Sequence, residues 1–173
     1  MAVALAAAWP AQALTDAQFT PAYALFERAT GGDARATEPA AQAFGQLLKA
    51  EPTHPVLLAY SGASTAMLAT TTWLPWKKMA HAEDGLAQLD KALALLTPAH
   101  QAPLLRGTPA ELEVKLVAAN TFLAVPGFMN RRDRGERLLK DVQSSPLLGG
   151  APADFRTAVD KAVAKAGLAG GAK

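Results

Sequence analysis

The sequence predicts an all-α chain of about seven helices stacked as antiparallel hairpins. Composition is the first reason: half of the 173 residues are hydrophobic, led by Ala and Leu, with 6% aromatic residues and no isoleucine. Ala and Leu lose little side-chain freedom in a helix, and runs of the β-branched residues that favour strands are nearly absent. The second reason is punctuation, with Thr-Pro and His-Pro pairs setting a capping group before a first-turn proline. The third is apolar spacing at three and four residues in the segments between those pairs.

Taken in order, Thr20-Pro21 opens a first helix, with Phe19, Tyr23 and Phe26 at helical spacing. Thr37-Glu38-Pro39 opens a second, carrying Ala40, Phe44, Leu47 and Leu48 and stopping at Pro52. Thr53-His54-Pro55 opens a third that runs through Leu57, Leu58, Ala63 and Met67 towards Thr70. A fourth spans Pro75 to about Leu96, and 99–107 reads as a loop. Thr108-Pro109-Ala110-Glu111 is a capping box that starts a fifth helix with Leu112, Leu116, Val117 and Phe122 inward. A sixth covers about Asn130 to Gln143, and a seventh Pro152 to Ala166 with Gly167 past its end. The length suits one domain, over residues 14–168, with a fraying tail at 169–173.

At the start, the apolar run Ala2 to Trp9 precedes Pro10 and Ala11-Gln12-Ala13, an h-region followed by an A-x-A cleavage signature. This predicts cleavage before Leu14, with residues 1–13 a signal-peptide remnant and an exported, periplasmic product. No Lys or Arg precedes the run. Either the chain starts inside a longer signal, or the run is an Ala-rich helix start. No segment is expected to span a membrane, since the run Leu57 to Leu74 is broken by Ser, Gly and Thr.

Self-similarity is present but irregular. The second helix reads Ala40-x3-Phe44-x3-Leu48-x3-Pro52, which resembles the second-helix signature of a tetratricopeptide repeat. One 34-residue unit later, Leu58 and Gly62 fall where that pattern wants a large and a small residue. Gly85-x3-Leu89-x2-Ala92-Leu93 and Gly135-x3-Leu139-x2-Val142 repeat the order. The small residues are 45 and then 50 positions apart, so the later units carry insertions at the turn inside each hairpin. Those turns, Leu74 to Met79 and Leu123 to Arg132, resemble those of a family of small bacterial tetratricopeptide-like proteins. The resemblance implies a partner among ABC transporter components.

A net charge of +2 is far short of a nucleic-acid footprint, and no nucleic-acid partner is expected. With no Cys, thiol chemistry and disulfides are excluded. His54, His81 and His100 have no ligand-spaced partner, and no nucleophile elbow or phosphate loop occurs. Glu83-Asp84 reads as a solvated face, and Glu111, beside Glu113, is assigned to the capping box. No enzyme activity, metal or cofactor is expected.

The inserted turns carry the candidate site. One offers Trp73, Trp76, Lys77 and Lys78; the other offers Phe128, Arg131 and Arg132, with Met129 and Arg134 nearby. Aromatic side chains and arginine dominate binding hot spots. First-turn cations oppose the helix dipole, so their presence at both helix starts asks for a reason other than helix stability. Hairpin stacking is expected to bring both turns to one edge that docks a protein partner. The bland alternative is that Trp76 and Phe128 pack inward and plug their hairpins. The chain therefore reads as a non-enzymatic scaffold or adaptor of the cell envelope. A carrier of an apolar or anionic lipid-like ligand within the helical array is the second reading.

Overall fold

The computed structural model describes residues 14–168. Both the expected cleavage site before Leu14 and the tail at 169–173 lie outside the described residues. Seven α-helices follow in order: α1 Asp16–Thr30, α2 Thr37–Ala50, α3 Pro55–Thr71, α4 Pro75–Ala94, α5 Ala110–Ala124, α6 Arg132–Gln143 and α7 Ala153–Ala166. Short 3-10 turns precede α2, α6 and α7 and follow α4. The only strand-like feature among the described residues is a single bridge between Pro103 and Pro109.

Glycine sets how closely the helices approach. Gly62 lies nine residues before the end of α3 and Gly85 ten after the start of α4, as an antiparallel hairpin requires. A Cβ on Gly85 would come within 2.5 Å of the Gly62 carbonyl oxygen, and one on Gly62 within 2.7 Å of the Gly85 oxygen. At the α5–α6 crossing, a Cβ on Gly135 would meet Leu123 at 2.9 Å and the Ala119 oxygen at 3.1 Å. The spaced small residues of the sequence are thus the contact points of the two hairpins.

Two apolar clusters share α5. Phe19, Phe44, Leu57, Leu86, Leu89, Val114, Val117 and Phe122 belong to the larger one, which draws on α1 to α5. Leu112, Leu116, Leu139, Val142, Phe155 and Val159 form the smaller one with α6 and α7. A helix apolar nearly all round must be buried on more than one side, and α5 is. Within the larger cluster, Phe19, Tyr23, Phe26, Phe44 and Tyr60 pack ring against ring, with Phe44 and Tyr60 stacked at 5.0 Å.

Two helix starts differ from the sequence reading. Thr20-Pro21 does not open α1; Thr15 does, its backbone N–H donating to Gln18 Oε1 at 3.0 Å, and Pro21 sits inside the helix. A Thr-x-x-Gln cap near the end of an apolar run outcompeted the later Thr-Pro pair. The capping box at Thr108 is also absent. Thr108 is buried in a turn, where its N–H donates to the Leu105 oxygen at 3.0 Å, and Glu111 pairs with Lys115 at 2.6 Å instead. His54 proves to be the α3 cap, its Nδ1 accepting the Leu57 N–H at 3.4 Å. No helix among the described residues is long and apolar enough to cross a membrane.

Candidate functional site

The first inserted turn links α3 to α4 through Thr72, Trp73 and Leu74, with Pro75 as the first residue of α4. Trp73 is 82% exposed and Trp76 68%. Lys77 and Lys78 are exposed, and among the described residues neither forms an ion pair. The positive end of the α4 dipole therefore meets two cations with no local compensation.

The second turn is built differently. Phe128 is 67% exposed, while the next residue, Met129, packs on the larger core. Asn130 adopts a left-handed conformation with φ 54°, which turns the chain into α6. Arg131 reaches Asp90 of α4 at 3.0 Å, and Arg134 also binds Asp90. Both guanidinium groups lie over the Phe122 ring, at 5.4 and 5.2 Å from its centroid. Arg132 pairs with Glu136 of its own helix at 3.0 Å.

Trp76 and Phe128 therefore do not plug their hairpins; both point to solvent, and Met129 takes the inward place in the second turn. Nor do the basic residues act as one set. Arg131 is fixed beside Asp90, fourteen residues after Trp76 in α4, or about 21 Å of helical rise away. It belongs to the seam between α4 and α6, whereas Lys77 and Lys78 belong to the head of α4.

A second constellation surrounds Glu113, in the first turn of α5. Its side chain is 1% exposed, and its Oε1 accepts hydrogen bonds from the Tyr60 hydroxyl at 2.8 Å and Arg106 Nη2 at 2.6 Å. Glu113 Oε2 and Arg106 Nε, both shut off from solvent, have no partner among the described residues. Burial pushes the Glu113 carboxyl up, and the Arg106 charge beside it pulls the other way. Burial likewise drives the Tyr60 hydroxyl well above its ordinary range.

Arg106 is held from several sides. Its backbone has φ 52°, a conformation that costs a bulky side chain about 1–2 kcal/mol, and its N–H donates to Asp16 Oδ1 at 2.8 Å. The guanidinium lies 3.7 Å from the Tyr23 ring centroid, and Nη1 is 3.6 Å from Asp154 Oδ2. Tyr23 is pushed up to about 12, chiefly by burial and against the pull of Arg106, with Glu27 adding to the rise. Beside this group lies a cleft of about 320 Å³, within the range of small-molecule sites.

Sequence reasoning missed this constellation because it set Glu113 beside Glu111, whose place it explained by the capping box, and gave Glu113 no role of its own. The signal was present: Glu113 stands three and four positions before Leu116 and Val117 on a helix with almost no polar face. No protein-family model, curated protein or solved structure matches this chain.

Proposed function

We propose that the chain is a non-enzymatic scaffold or adaptor of the bacterial cell envelope that docks a protein partner through the turn between α3 and α4. One observation carries this reading: two tryptophans, 82% and 68% exposed, stand beside two lysines that have no ion-pair partner among the described residues, at a helix start that disfavours cations. Leaving two tryptophans in water forgoes burial of about 150–250 Å² each, which a partner would recover. The complementary surface is an apolar pocket with an acidic rim. A standard interface buries about 800 Å² per partner, so the turn supplies the anchor and neighbouring surface the remainder. Export, and an accessory role beside an ABC transporter, rest on the Ala-x-Ala signature and on the resemblance of the two turns.

The test begins with a photo-crosslinking residue at Trp73, in cells, to trap and identify the partner. The purified partner is then titrated against the wild type and against Lys77→Glu/Lys78→Glu. At least about a tenfold loss of affinity is expected, most of it in the association rate. Unchanged affinity, or capture by anionic lipid vesicles with no protein crosslinked, would overturn the reading.

A further inference from the structure

The cleft beside Glu113 has a charge arrangement that docking at the α3–α4 turn does not use. Its floor is already neutral, with Glu113 and Arg106 paired at 2.6 Å. Its rim is not. Glu27 on α1 and Lys161 on α7 both line the cleft and are exposed, and among the described residues neither has an ion-pair partner within 4.0 Å. The Glu27 carboxylate and the Lys161 ammonium thus stand on the same opening without reaching each other, and the exposed Asp154 carboxylate lines it too.

Arg106 adds a second point of attachment. Glu113 occupies its Nη2, while among the described residues Nη1 pairs only with Asp154, at 3.6 Å and on a side chain that is 71% exposed. That edge of the guanidinium is open to a closer anion. The remaining wall is apolar, from Leu116, Val117 and Phe155. The floor is also strained and costly to assemble, combining a left-handed arginine with a fully buried carboxylate, and such combinations gather at binding sites.

We infer that this cleft binds a small zwitterion of amino-acid size, with its ammonium on Glu27, its carboxylate between Lys161 and Arg106 Nη1, and its side chain against Leu116, Val117 and Phe155. The volume holds about ten waters, more than a free amino acid displaces, so an amino acid fits with room for bridging water. A ligand with a single charge would leave one rim group unanswered, so both ends of the zwitterion are needed for recognition.

The experiment is an NMR titration of the isotope-labelled protein with the free L-amino acids, using n-butylamine and butyrate as single-charge probes. At least one amino acid should give saturable shifts confined to the residues lining the cleft, while neither probe does. Glu27→Gln and Lys161→Gln, both at exposed positions, should each weaken that binding at least about tenfold, the cost of one charged hydrogen bond. The inference is overturned if no amino acid gives saturable shifts at millimolar concentration. It is equally overturned if the single-charge probes bind as well, or if both variants bind as the wild type does.

Discussion

Glu113 and Lys77 both fall within the first four residues of a helix, and the fold treats them in opposite ways. Glu113 complements the α5 dipole and is buried, bonded to Tyr60 and Arg106, and tied through Arg106 to α1 and α7. Lys77 opposes the α4 dipole and stands in water beside Trp76 with no partner among the described residues. One turn spends its charge on cohesion. The other keeps its charge and its aromatic surface outward, where neither helps the fold.

That contrast makes a graded series of expectations. The largest effect belongs to Arg106→Ala, which leaves the Glu113 carboxylate buried without its cation and should cost about 3–5 kcal/mol in denaturant unfolding at pH 7. The pH dependence has a definite sign. Burial raises Glu113, so its contribution is fully present below the unfolded carboxyl value and is lost as pH rises through the folded one. Removing Arg106 takes away what opposes that rise, so the deficit of the variant should shrink as pH falls from about 7 to about 5. A deficit independent of pH would mean that Glu113 is not the group left exposed to the loss.

Next comes Gly85→Ala, whose Cβ would stand 2.5 Å from the Gly62 oxygen. Forcing α3 and α4 apart should cost about 1–3 kcal/mol, seen as a lower unfolding midpoint. The second inserted turn lies between the extremes. Asp90→Asn weakens both arginine contacts at the α4–α6 seam, but those groups are partly solvated, and the expected loss is no more than about 1 kcal/mol. If that variant unfolded as easily as Arg106→Ala, the two regions would not differ in kind.

What the sequence disclosed follows the range of the forces involved. All seven helices were legible, because caps, prolines and apolar spacing act within one or two turns. Gly62, Gly85 and Gly135 were legible as crossing points because the repeat-like spacing put a small residue in each hairpin. The starts of α1 and α5 were misplaced where two local signals competed within a few residues. The anchoring of Arg131 on Asp90 spans 41 positions and the bond from Tyr60 to Glu113 spans 53, and no local pattern reports pairings of that reach. The exposure of Trp76 and Phe128 was likewise undecided by spacing alone, since a helix-start aromatic can face either way until its neighbours are placed.

The most direct measurement takes Trp73→Ala/Trp76→Ala through both readouts, unfolding free energy and affinity for the purified crosslinked partner. Stability within about 0.5 kcal/mol of the wild type is expected, as for surface side chains that touch little. Affinity should fall by at least about a hundredfold, the loss of two aromatic anchors. A variant that binds as the wild type does, or one that unfolds several kcal/mol more easily, would contradict the account of this turn as a docking surface set apart from the fold.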